Sequence, residues 1–365
     1  MDHIVFAHNG TNVMTTSNKF DNLNRLTGRQ SIAAGGGAAA PNFNYQYNTA
    51  SQRTRVSLVD GSYWLYAYDA LGQLTNAVKY FWDGTLYSGQ QFGFGFDTIG
   101  NRLTALAGGD SNRMNLRLAN YTNNALNQIV SRDVPGYVDV MGLTLSTNTV
   151  KVNGTNAYQK WEYFREQIGT NNNSAPQWVG INVTATNQST VSGGVYLPQT
   201  PETNFAYDLD GNTTLDGHFN YTWDAENRLT TAASLTNAPV ASMSSNIFTY
   251  DYMGRRIQKA VWMNSGSAWV VFYTNNYVYD GWNLAAILDG SNNVLYTFTW
   301  GTDLSGTLQG AGGVGGLLSM TYSAPNAGTN AGTYFFCYDG NGNVMALVNA
   351  ANGAIAANYG KGVNP

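Results

Sequence analysis

F-G-F-D-T-I-G-N-R-L, running from Phe94 to Leu103, is the stretch that decides how this chain is read. Phe94 and Phe96 stand two residues apart, so in a β-strand both rings lie on one face. Asp97 follows, and an aspartate side chain accepts hydrogen bonds from backbone amides two residues on, closing an Asx-turn. Gly100, three residues later, tolerates the positive φ that reverses a chain. Leu103 then begins a return strand. Ten residues thus predict a strand end, a tight turn and a strand start.

Relatives of this string recur throughout the chain: F-D-N-L-N-R-L-T from Phe20, Y-A-Y-D-A-L-G-Q-L-T from Tyr66 and F-A-Y-D-L-D-G-N from Phe205. Others are Y-T-W-D-A-E-N-R-L-T from Tyr221, F-T-Y-D-Y-M-G-R-R-I from Phe248, Y-V-Y-D-G-W-N-L from Tyr277 and F-C-Y-D-G-N-G-N-V from Phe336. Degenerate copies begin at Tyr45 and Tyr121. The step is 27 residues from Asp21 to Asn48, 28 from Asp69 to Asp97 and 27 from Asp224 to Asp251. The positions that define the repeat are Asp21, Tyr68, Asp69, Asp97, Tyr207, Asp208, Trp223, Asp224, Tyr250, Asp251, Tyr279, Asp280, Tyr338 and Asp339. Each unit predicts a β-hairpin with strands of about ten residues, which buries its face only by stacking on the next hairpin.

The pattern aromatic-x-aromatic-Asp-x-x-Gly/Asn-Asn/Arg/Gln-x-Leu resembles the YD repeats of bacterial RHS proteins, shared by teneurins and the shell subunits of toxin complexes. The resemblance implies an all-β fold: a repetitive β-hairpin sheet spiralling into a partial RHS/YD-repeat shell. It implies a structural, non-catalytic role, encapsulating or displaying a polypeptide such as a C-terminal toxin, and a secreted or cell-surface location. Family members usually close the shell with a Tyr-Asp-Pro-Phe-Gly segment and a self-cleavage motif. This chain ends N-Y-G-K-G-V-N-P where that closure would begin. Self-cleavage is therefore carried over to no residue, and an incomplete spiral is expected to expose sheet edges and associate.

Composition agrees with strands and turns. The chain has 365 residues, 24 Tyr, 15 Phe, 9 Trp and 41 Gly, while charged residues make up only 11%. Aromatic side chains suit pleated, half-buried surfaces, and Gly and Asn suit turns. A net charge of −4 argues against a nucleic-acid partner, which wants a basic face. No run of apolar residues is long enough to predict a membrane span. The first ten residues lack the basic and apolar regions of a signal peptide, so either that export route is not used or the true N-terminus lies upstream. The single cysteine, Cys337, sits in an aromatic strand and reads as a buried thiol.

Between Asn124 and Asp208 the repeat lapses for 84 residues. The expected organisation is a YD-repeat sheet over 1–130, an inserted β module over 131–200 and a second YD-repeat sheet over 201–365. The insert holds Trp161 and Trp178, candidate binding residues for a surface glycan or partner protein, since rings stack on sugar faces. Other motifs carry little. Gly310-x-Gly312-x-x-Gly315 matches a dinucleotide fingerprint, but a strand-like L-L-S-M-T-Y follows where a helix should begin. Asp208-x-Asp210 and Asp339-x-Asn341 resemble calcium loops but lack the acidic residue at position 12. His3, His8 and His218 show no zinc spacing, and Gly109-Asp110-Ser111 reads as a surface turn. No catalytic residue, metal or cofactor is expected.

Overall fold

A computed structural model of the chain describes residues 3–34, 41–325 and 328–359. Residues 360–365, which bear on the expected missing closure, lie outside the described residues, as do Met1 and Asp2 of the N-terminal stretch. The described residues form β-strands and two short 3-10 turns, with no α-helix among them. Eleven strands, from His3–His8 to Ile129–Arg132, make one sheet in which every strand pairs with its neighbour in sequence. Thirteen strands, from Ala206–Tyr207 to Ile355–Asn358, make a second sheet of the same kind. All the pairings are antiparallel, so each connection is a hairpin and turn chemistry sets the register.

Most strands are shorter than the ten residues expected, although Leu86–Phe96 has eleven and Trp269–Asp280 twelve. Arg102–Gly108 has seven residues and Leu116–Asn123 has eight. A step of 27 residues must hold two strands and two turns, the second of which, at Asp110–Met114, is closed by its own backbone bonds.

Register slips at one recurring place: between Gln46 and Tyr47, Ala67 and Tyr68, Thr222 and Trp223, Thr249 and Tyr250, and Cys337 and Tyr338. Tyr47 faces Arg53 and Gln46 faces Arg55, so Thr54 is the extra residue on the return strand. Such a β-bulge bends the strand and increases local twist. Repeated at one position of each unit, it bends the ribbon repeatedly in one sense.

The two ends of the ribbon meet. Phe6, Val13 and Met14 pack on Phe335, Cys337, Ala346 and Val348 of the last long hairpin, Gly332–Tyr338 with Val344–Asn349. Met14 and Cys337 are fully buried, their sulfurs 3.3 Å apart. On the hairpin's other face, Tyr334, Phe336, Tyr338 and Leu347 form a second cluster with Leu317 and Met320. The turn after Tyr338 docks on the N-terminal sheet. There the Gly340 amide donates to the Tyr45 hydroxyl at 2.6 Å, and Arg53 donates to the Gly340 carbonyl at 3.2 Å.

Two small sheets occupy the stretch between the large ones. Tyr137–Leu143, Tyr163–Gly169 and Tyr158–Lys160 form a three-stranded sheet. Thr155–Asn156, Val150–Val152, Gln177–Ala185 and Val191–Leu197 form a four-stranded one. The three-stranded sheet rests on the N-terminal large sheet: Tyr163 packs with Phe81 and Tyr87, and Arg165 donates to the Ser88 hydroxyl at 3.1 Å. Gly89 permits this approach, because its φ is +85° and a Cβ there would lie 2.7 Å from the Met141 sulfur.

The repeat continues across these small sheets. Arg132 and Glu202 exchange backbone hydrogen bonds of 3.0 and 2.9 Å, and the Tyr207 hydroxyl donates to the Ile129 carbonyl at 2.8 Å. The unit ending at Asn124 is thus followed in space by the unit of Asp208.

Candidate functional site

The most regular chemistry of the molecule lies in its turns. Asp251 Oδ1 accepts from the amides of Met253 and Arg255, both at 2.9 Å, and Oδ2 accepts from the Arg255 guanidinium at 2.7 Å. The Asp251 carbonyl takes the amide of Gly254, whose φ is +80°. Asp21, Asp97, Asp208, Asp224 and Asp339 repeat this geometry, with Arg or Asn as the fourth residue on. Asp69 binds the amides of Leu71 and Gln73. These bonds hold the carboxylates of Asp21, Asp208 and Asp224 below their ordinary pKa; for Asp21 the leading cause is the Arg25 amide, for Asp224 the Arg228 amide, and for Asp208 the Asn212 side chain.

A second bond joins each turn to its neighbour. The Tyr68 hydroxyl donates to the Arg53 carbonyl at 2.8 Å, Tyr250 to Leu229 at 2.8 Å and Tyr279 to Arg256 at 3.0 Å. Tyr338 reaches Leu317, and the Trp223 indole N–H reaches the Thr213 carbonyl at 2.8 Å. In the units of Tyr68, Tyr207, Trp223, Tyr250 and Tyr279 the accepting carbonyl lies five residues after the preceding turn residue, beside the bulge, where the ladder is locally broken. Arg25 and Arg228 add a bond to the next turn, at the carbonyls of Asn48 and Asp251.

Asp280 departs from the pattern. It ends the strand Trp269–Asp280 and pairs with Asn283 across a two-residue turn opened by Gly281 at φ +58°. Asp289, which the repeat reading did not select, makes the usual turn with Ser291 and Asn293. Only its Asp and Asn were left as a signal, because the preceding Leu288 breaks the aromatic spacing.

The glycine-rich stretch does cradle an anion, and that anion is the chain's own Asp303. Its Oδ2 accepts from the amides of Ala311 and Gly313 at 2.6 and 3.1 Å, and Oδ1 from Ser305. Burial opposes ionisation there, yet these donors bring the pKa down to about 2. Asp208 and Asp339 likewise direct their oxygens at backbone and side-chain amides of their own turns. No group of three His, Cys, Asp or Glu able to hold a metal occurs among the described residues. Burial pushes the Cys337 thiol up to about 11. His218 stacks on Tyr196 at 3.8 Å, and its burial lowers its pKa.

Trp161 and Trp178 fall on different sheets. Trp178 lies in the four-stranded sheet with its indole over Gly194 of the paired strand. Trp161 occupies the turn between Lys160 and Tyr163 and stacks on Trp82, ring centroids 5.1 Å apart and planes within 20°. Trp82 belongs to the Phe81–Thr85 turn of the N-terminal large sheet and was not singled out from sequence. A cleft of about 300 Å³ opens beside this pair, and a larger apolar groove of about 860 Å³ runs between the small sheets past Leu143, Phe164 and Ile181.

No family model matches the chain. Among curated proteins it is similar to the tRNA3(Ser)-specific nuclease WapA of Bacillus spizizenii, 32% identical over 163 residues, 44% of this chain and 6% of that protein. The tRNA nuclease WapA of Bacillus subtilis strain 168 is 37% identical over 108 residues, 29% of this chain and 4% of that protein. The chain thus spans only about a twentieth of the length of these relatives. Among solved structures, TcdB2-TccC3 matches with a TM-score of 0.39 at 12% identity, over 97% of this chain and 18% of that one. The Photorhabdus luminescens Tc holotoxin pore matches with a TM-score of 0.37 at 12% identity, over 94% of this chain and 16% of that one. The recurring aspartate turn, the bulge beside it and the tyrosine bond between units, together with the sequence likeness to the WapA proteins, identify the repeats of this chain as RHS-type YD repeats.

Proposed function

We propose that this chain is a curved stretch of wall in an RHS-type shell that encloses or displays a polypeptide, and that the chain itself carries out no catalysis. The observation that carries this reading is the meeting of the ribbon's ends, where Phe6 and Met14 pack on Phe335 and Cys337. A meander that returns upon itself surrounds space instead of filling it. Exposed area supports the same reading. The chain exposes 19043 Å², whereas a compact monomer of its 39.5 kDa mass exposes about 14,000 Å². A thin wall with two wetted faces accounts for such an excess.

The nuclease named in the WapA relatives belongs to proteins far longer than this chain. In the wall reading, such an activity resides in a separate segment, and the aspartates here serve their turns. The enclosed or C-terminal polypeptide is the principal partner, and a secreted or cell-surface location suits such a device. A second reading, a surface module binding glycan or protein, is favoured by one observation: the exposed Trp82–Trp161 stack.

Electron microscopy of the full-length gene product tests the wall reading. A hollow particle with internal density is expected. A solid, compact β particle would refute it and leave surface binding as the working role.

A further inference from the structure

We propose that residues 269–274 of one copy of this chain dock, as an added strand, into the groove between the two small sheets of a second copy. The contact is head-to-tail. This goes beyond the wall reading and does not depend on it.

The groove exists because the two small sheets pack face to face but close on one side only. Val150, Val152 and Phe164 are buried between them. On one side the chain itself crosses over, from Thr155–Asn156 in one sheet to Tyr158–Lys160 in the other, and the Ala157 amide donates to the Val150 carbonyl at 3.0 Å. On the opposite side Tyr137–Leu143 and Val191–Leu197 are outer strands with no further neighbour, and the groove of about 860 Å³ opens between them. Hydrogen bonds on their inner sides fix the alternation of each strand. The Thr144 amide donates to the Glu162 carbonyl at 2.8 Å, so Met141 turns its backbone N–H and C=O outward. The Asn153 amide donates to the Asn182 carbonyl at 2.8 Å, which in turn leaves Ser192 and Gly194 facing outward. Apolar walls and unpaired ladder groups together make a site for an extended strand.

The chain carries such a strand. From Asn275 on, Trp269–Asp280 pairs on both edges, but residues 269–274 pair only with Arg256–Asn264. The Ser265 amide donates to the Ala268 carbonyl at 2.9 Å, so the backbone groups of Trp269 and Val271 point to the free edge. All five side chains from Trp269 to Tyr273 are exposed. A strand half in water alternates apolar with polar residues, whereas an unbroken apolar run belongs to a strand that is covered. Exposed edges are usually guarded by lysine or proline, and neither a proline nor any charged residue occurs from Ala260 to Tyr279.

Charge matches the strand to the groove. Glu162 is the one charged residue in the groove lining, and it forms no ion pair among the described residues. Lys259 stands opposite Asn275, its ammonium 5.8 Å from the Tyr273 ring centroid, and it has no acidic partner there either. Docking brings these two unpaired charges together at the mouth of the groove. Two copies joined strand to strand about a two-fold axis would leave both unanswered. A contact between different patches also leaves each copy with a strand or a groove still to fill.

The test is sedimentation velocity of the whole chain over a concentration series. Concentration-dependent association of the wild type is expected. Phe272→Lys on the strand and Val191→Lys on the groove, both at exposed positions, are each expected to weaken it by about tenfold or more. Mixed in equal amounts, these variants are expected to associate again as one-to-one pairs, because the first keeps its groove and the second its strand. Glu162→Lys and Lys259→Glu are each expected to weaken association, and their combination to restore it. Should circular dichroism show that a strand or groove variant is unfolded, the charge variants decide. A wild type that stays monomeric, Val191→Lys that associates like the wild type, a mixture without recovery, or a double charge variant no better than the single ones overturns the proposal.

Discussion

At the scale of the residue, Asp21, Asp97, Asp208, Asp224, Asp251 and Asp339 each use both carboxylate oxygens, one on two backbone amides and the other on the side chain four residues on. Where a tyrosine precedes the turn, as at Tyr68, Tyr207, Tyr250, Tyr279 and Tyr338, it spends its hydroxyl on the preceding unit. This division explains why Tyr and Trp interchange at the position, both having a donor at the ring edge. Removing the Tyr250 hydroxyl with Tyr250→Phe leaves the ring but deprives the Leu229 carbonyl of its partner, and is expected to cost about 1 kcal/mol in denaturant unfolding. Asp251→Ala removes three bonds together and is expected to cost more. Acid gives a second residue-scale prediction. The turn carboxylates of Asp208, Asp224 and Asp251 have folded pKa values below their unfolded values. Their stabilisation is therefore complete above about pH 4 and is lost as pH falls through the folded values. Urea midpoints measured at pH 7, 4 and 3 should drop between the last two, and a flat profile would contradict the turn assignment.

At the scale of the element, the hairpin with its bulge is the unit that builds curvature. The bulge was not legible in the aromatic spacing, because it sits on the return strand, whose residues vary from unit to unit. One hairpin stands apart. In the strand Trp269–Asp280, the run Trp269, Val270, Val271, Phe272 and Tyr273 is exposed along its whole length, so both faces meet solvent. An exposed apolar strand of this kind is a template for self-association. Sedimentation velocity over a concentration series is expected to show association of the isolated chain, reduced in Phe272→Lys. Association that is equal in both would move its source to the sheet edges at the ends of the ribbon.

At the scale of the whole molecule, stability depends on the seam between the first and last strands. Met14 has no exposed surface there, so Met14→Ala leaves a cavity facing Cys337 and is expected to cost about 2–5 kcal/mol, read as a lower melting temperature. If the seam were incidental, the substitution would behave like one on the surface. The Trp82–Trp161 cleft belongs to the same scale, because it joins turns from two sheets.

The amino-acid sequence by itself determined the all-β class, the turn positions and the unit of repetition. Those features rest on bonds between residues two to four apart, such as Asp251 with Met253 and Arg255, and local spacing records them directly. Only the tertiary structure decided that Tyr207 bonds to Ile129 across the lapse in the repeat, that Met14 meets Cys337, and that Trp82 stacks on Trp161. These partners lie far apart along the chain and share no period. Their meeting depends on curvature summed over many bulges and on the docking of a small sheet beside Gly89, neither of which leaves a mark in any single stretch of residues.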